Sequence, residues 1–236
     1  MKPQEPAPQI RDNGIELLRV LCGSRAYGLA DDDSDFDYHG VFAVPTSRIL
    51  SIGQKIKETS WIEGESEDNT AWEVRHFLEL ALSCNPTVLE TFVAPVVINT
   101  RWGADIRQLF HHVLSRRKVY DSFQGYAHNQ RKKMFDPAGG VLAGERMWKF
   151  AVTYLRSLYH GTQLLRYGSY DLMLPDSIRS DLRRVKIGEV RKGEVINAAE
   201  GLLEELTDAY LHSKIPEEPS VGPINDFLLA LRKELW

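Results

Sequence analysis

Asp35 and Asp37 stand two residues apart within an apolar run, with Phe36 and Tyr38 interleaved and Val41, Phe42 and Val44 beyond. Along a strand, side chains at i and i+2 share a face and their Cα atoms lie roughly 6.5 Å apart. Both carboxylates are therefore expected to point one way and both rings the other. Ionised carboxylates among apolar neighbours are costly unless paired or bound to metal. Hard cations such as Mg2+ take such oxygens and are completed by water and substrate phosphates. Two of them about 3.5 to 4 Å apart stabilise the attacking and leaving oxygens of an in-line phosphoryl displacement. Asp31, Asp32 and Asp33 precede the run and read as a solvated turn.

Ten residues upstream of Asp35, an apolar run from Leu17 to Cys22 stops at Gly23-Ser24. A glycine followed by a small hydroxyl residue, placed where a strand turns into a helix, lets backbone N–H groups approach a phosphate closely. A phosphate cradle and a pair of metal-binding acids together describe phosphoryl transfer.

Cys22-Gly23-Ser24, ten residues, then Asp35-Phe36-Asp37-Tyr38 resembles the signature of the DNA polymerase beta-like nucleotidyltransferase superfamily. Gly-Ser-Arg-Ala-Tyr-Gly-Leu (23–29) and Ser-Asp-Phe-Asp-Tyr-His-Gly-Val (34–41) are similar to its bacterial and phage branch. The resemblance implies a nucleoside triphosphate held by Gly23, Ser24 and Arg25, with Mg2+, or Mn2+ in its place, at Asp35 and Asp37. It also implies a third carboxylate from a neighbouring strand, for which Asp68 and Glu73 are the candidates. Asp68-x-Thr-x-Trp ahead of Arg-His-Phe-Leu resembles the family's segment, so Asp68 is preferred as catalytic and metal-binding. Glu73, flanked by Trp72 and Val74, suits a buried strand, or equally the first turn of a helix, where the dipole favours acids. Asn85-Pro86 with Val88-Leu89-Glu90 also looks like the family. So do Phe123-x-Gly-Tyr-Ala-x-x-Gln-x-x-Lys133 and Lys149 with Arg156 seven residues on. By that likeness Lys133, Lys149 and Arg156 are candidate triphosphate contacts; as plain residues they read equally as exposed helix cations.

The elements that must position these residues follow from periodicity. Residues 1–9, with three prolines, read as a mobile arm, Ile10 to Leu18 as a short helix, and Arg19 to Cys22 as the first strand. A short helix follows Gly23-Ser24, and a second strand spans Asp35 to Val44. Residues 54–62 alternate enough for a third strand, Glu63 to Asn69 form an acidic loop, and a strand then enters a helix from Val74 to Ser83. From Trp102 the pattern is helical: Ile106 to Leu114, Phe123 to Phe135, Glu145 to Tyr167, Lys192 to His212 and Ile224 to Trp236. Gly139-Gly140 lacks the Gly-Lys-Ser/Thr of a phosphate loop. The expected architecture is α+β: a small mixed sheet with flanking helices over 10–100, a helical bundle over 101–236, and the cleft between them.

Composition sets the bounds. With 43% hydrophobic residues in 236, the chain has ample core. No apolar stretch approaches the ~18 residues of a membrane span, and the start carries no hydrophobic signal core, so a cytoplasmic protein without membrane contact is expected. Two cysteines, Cys22 and Cys84, make neither a disulfide framework nor a zinc site. Residues 1–100 hold 8 Lys/Arg against 16 Asp/Glu, residues 101–236 hold 21 against 17. The acids gather with the expected metal site, and the basic helices lean toward a polyanionic partner. The acceptor of the nucleotide stays open among an RNA or tRNA end, a protein and a small molecule. A non-catalytic binding module of the same fold is the competing class.

Overall fold

The computed structural model describes residues 14–62, 69–135 and 143–236. The arm at 1–9, Asp68 with most of the acidic loop, and the Gly139-Gly140 turn lie outside them.

The chain begins with β1 (Ile15–Cys22), α1 (Gly23–Tyr27) and β2 (Asp37–Ala43), then α2 (Thr46–Leu50), β3 (Thr59–Trp61) and β4 (Thr70–Glu73). After α3 (Val74–Leu82), α4 (Pro86–Val93) and β5 (Val96–Asn99), all is helix: α5 (Arg101–Gln108), α6 (Phe110–Val113), α7 (Arg116–Phe135), α8 (Ala143–Tyr167), α9 (Asp176–Lys186), α10 (Lys192–His212) and α11 (Val221–Glu234). The five strands form one mixed sheet in the order β3-β4-β2-β1-β5, with β2 parallel to β4 and the other pairs antiparallel. The α+β class expected from the sequence is the class observed.

Differences from the expected elements have local causes. Ile15 to Leu18 is strand, not helix, because β1 pairs along its length with β2 and over Leu18–Val20 with β5. Short β5, with only one of its four residues even half-buried, carries little periodic signal of its own. Strand β2 begins at Asp37, so Asp35 lies in the loop before it rather than on the pleat. The third strand shrinks to three residues. Helix α3 ends where Cys84 takes φ +54° and Asn85 N closes back on Leu80 O (3.2 Å), and Pro86 opens α4 in the first turn, where a missing N–H costs nothing. Asn85 caps that turn, its Oδ1 accepting from Thr87 N (3.0 Å) and Val88 N (3.3 Å).

One continuous apolar core runs from Leu17, Leu18 and Val20 of β1 through Phe77, Leu89 and Phe92 to Phe123, Leu158 and Leu164 in the long helices. The opposite face of the sheet carries a smaller cluster of Phe42, Val44, Ile62 and Ala71, against which Tyr38 packs. Cys22 and Cys84 are free and buried. Among the described residues, no helix is long and apolar enough to cross a membrane.

Candidate active site

The site is built on one strand pair. Cys22, the last residue of β1, is the register partner of Asp37, the first of β2, so the turn that follows β1 and the acid that opens β2 meet at the same end of the sheet. Gly23 adopts φ +67°, and a Cβ built there would overlap Asp37 Oδ2 and stand 2.9 Å from its Cγ. Glycine is required twice over, by the left-handed backbone and by the carboxylate lying against it. Ser24 is half-buried beside it and Asp37 half-buried, while Asp35 is exposed.

Arg25 holds the approach to these acids. Its guanidinium donates to Ser34 O (2.6 Å) and Asp35 O (3.3 Å) and lies 3.9 Å above the Phe36 ring. The charge expected at a nucleotide is here fastening the loop that carries Asp35. Phe36 and Tyr38 stack with centroids 6.5 Å apart. Lys186 of α9 donates to Leu29 O and pairs with Asp31 at 2.5 Å, which holds the Asp31 carboxyl below its usual range.

The two candidates for a third acid separate. Glu73 pairs in register with Phe42 across β2 and β4, five residues along β2 from Asp37, or about 16 Å at strand rise. Its carboxylate accepts from Arg75 N (2.8 Å) as the cap of α3 and from Arg232 Nη2 of α11 (2.5 Å). Glu73 is thus a buried structural acid at the far end of the strand, a correction to its candidacy. Asp68 is outside the described residues; its covalent neighbour Asn69 accepts from Tyr38 N at 3.0 Å, one residue past Asp37.

The cations of the long helices separate as well. Packing of α7 on α8 sets Lys133 Nζ 5.6 Å over the Phe150 ring, next to Lys149, and both lysines are exposed. Arg156, two turns along α8 from Lys149, is buried and faces inward. It donates to Glu90 Oε1 at 2.7 Å and lies 3.7 Å above the Tyr27 ring. Its expected place as a triphosphate ligand is corrected: the guanidinium is enclosed within the core. The same Glu90 accepts from Tyr27 OH (2.5 Å) and Tyr170 OH (3.3 Å). Burial pushes the Glu90 carboxyl up, but Arg156 and the hydrogen bonds outweigh it and hold the acid below its usual range. Beside them His160 is pushed down to about 3 by burial and by Arg156.

The Tyr27–Glu90–Arg156–Tyr170 cluster is the feature that sequence reasoning missed. Its one signal is an acid at position 90 inside the apolar stretch Val88-Leu89…Phe92, where an ionised group demands a partner. Among the described residues no three His, Cys, Asp or Glu side chains converge as a ready metal cluster.

Comparison with known proteins takes in nearly the whole chain. The chain is 24% identical to the uncharacterized protein YcgL of Bacillus subtilis (strain 168) over 243 residues, covering 94% of this chain and 92% of that protein. No solved structure matches it. A family model described as the RNA repair pathway DNA polymerase beta family matches residues 9–228, a span that takes in the sheet, the Gly23-Ser24 turn and the long helices, and this chain belongs to that family.

Proposed function

We propose that this protein is a nucleotidyltransferase that moves a nucleoside monophosphate from an NTP to an acceptor hydroxyl and releases pyrophosphate. The observation that carries the reading is the Asp37 carboxylate seated on Gly23 at the mouth of the Gly23-Ser24 turn. The donor set fits a hard divalent cation: Asp35 and Asp37 offer carboxylate oxygens, the ligands Mg2+ or Mn2+ prefer. Such an ion, when bound, would stabilise charge on the phosphate oxygens. The chain itself supplies the rest. The Gly23-Ser24 turn receives the triphosphate through backbone N–H groups, and Lys133 and Lys149, exposed on α7 and α8, are the cations we assign to its outer phosphates as point charges. Asp68 takes the acceptor hydroxyl's proton; the oxygen bonds to the α-phosphorus as the bond to the β-phosphate bridging oxygen breaks, and pyrophosphate leaves.

For the acceptor we infer an RNA end. Two observations support this: the family is described by an RNA repair pathway, and cations outnumber acids over residues 101–236. The experiment incubates the protein with each α-labelled NTP, Mg2+ or Mn2+, and separately RNA, protein and small-molecule fractions of a cell extract. Label in RNA with release of pyrophosphate is expected. Release of phosphate with no label transferred would make the protein a phosphohydrolase, and no turnover with tight NTP binding would make it a non-catalytic module.

A further inference from the structure

The geometry points to the buried cluster of Glu90, Arg156 and Tyr27 as the device that fixes where the Gly23-Ser24 turn stands, with Glu90 as positioning residue. This rests on reading that turn and Asp37 as the transfer site.

Helix α1 has five residues and no side-chain hydrogen bond at its start. A helix that short does not hold itself together in water, so its place must be set by tertiary contacts. Its last residue, Tyr27, is the anchor. The ring is covered by the Arg156 guanidinium at 3.7 Å, the hydroxyl is held by Glu90 at 2.5 Å, and the carbonyl accepts from Leu174 N at 3.4 Å. The anchored end is then fixed to the turn: Gly28 adopts φ +75° and Leu29 N donates to Ser24 O at 2.8 Å. Ser24 lies three residues before Tyr27, about 4.5 Å along the helix, so displacement of the ring displaces the turn.

A buried ion pair is a poor way to gain stability, since its desolvation often outweighs the Coulomb gain and apolar replacements of equal volume do as well. What it supplies is direction. Glu90 Oε2 serves Tyr27, while Oε1 serves Arg156 and Tyr170, so three donors from α1, α8 and the segment after α8 meet one carboxylate of α4. An apolar contact there would permit the ring to slide; this arrangement permits one place.

The test uses the full chain and two variants. Tyr27→Phe keeps the ring and removes only the hydroxyl; Glu90→Gln keeps the shape and removes the charge. In Tyr27→Phe, amide hydrogen exchange over residues 22–29 is expected to rise about tenfold, the equivalent of one hydrogen bond, with α7 and α10 unchanged. KM for the NTP is expected to rise about tenfold with kcat within about threefold, by the same arithmetic; Glu90→Gln should exceed both. Unchanged exchange over 22–29, or exchange that rises equally everywhere, overturns the proposal. Where Glu90→Gln fails to fold, Tyr27→Phe alone decides. A wild type that transfers no nucleotide removes the site reading, whereas the exchange result still decides whether the cluster holds the turn.

Discussion

The contact between Gly23 and Asp37 makes the sharpest predictions at the residue scale. Asp35→Ala and Asp37→Ala should each abolish nucleotide transfer while the unfolding midpoint stays near that of the wild type, because neither side chain is part of the core. Gly23→Ala places a methyl against the Asp37 carboxylate at positive φ and should both abolish transfer and cost more than the roughly 1–2 kcal/mol of the backbone conformation alone. Gly53→Ala is the control. Its φ is +81° but nothing lies within 4 Å of an added Cβ, so it should cost roughly 1–2 kcal/mol and leave transfer intact. His160 predicts a pH dependence. Folded, it titrates at about 3, far below its unfolded value, so the unfolded chain binds the extra proton first and stability falls as pH drops below ~6.5. The loss by pH 5 should be about 2 kcal/mol from this group. Urea unfolding at pH 7 and pH 5 checks it, and His160→Phe, among the rings of Tyr27, Tyr159 and Tyr170, should flatten the difference.

Elements distant in sequence are joined by single buried groups. Helix α11 is tied to the sheet by Arg232, which donates to Glu73 and to Val44 O (2.9 Å), while Thr46 N and Oγ1 donate back to Leu235 O (2.8 Å) and Arg232 O (2.6 Å). Arg232→Met leaves the Glu73 carboxylate buried without its counter-ion, held only by the Arg75 and Val44 N–H groups, and should cost about 3 kcal/mol; pairing it with Glu73→Gln should recover most of that. Denaturation midpoints of the single and double variants test the pair. Transfer per folded molecule should be unchanged in the double variant, since Glu73 lies at the far end of β2 from Asp37. That outcome follows from the register of β2 on β4, which the residues around Glu73 do not reveal. An acid between Trp72 and Val74 looks the same in sequence whether it faces a nucleotide or a helix cap.

Across the whole molecule, charge divides as the sequence indicates: acids gather in the first hundred residues, and exposed cations such as Lys132, Lys133, Arg146 and Lys149 stand on the long helices. If RNA is the acceptor, its affinity should fall by orders of magnitude between about 50 and 200 mM salt as counterions are released. A filter-binding titration reads the slope, and an affinity indifferent to salt would favour a small molecule or a protein hydroxyl. The basic helices would then serve only as solvated surface.

The sequence by itself determined the chemistry-bearing stretch. Gly23-Ser24 and Asp35-x-Asp37 are local patterns, and the long helices with their caps are local too, because periodicity and punctuation are written within a turn or two of the residues they govern. Tertiary structure decided which charges are enclosed and which meet solvent. Arg156 and Lys149 share one helix and one residue class, yet one is enclosed against Glu90 and Tyr27 while the other meets solvent. The partner that fixes a buried charge comes from 66 residues away, beyond the reach of any pattern confined to neighbours in the chain.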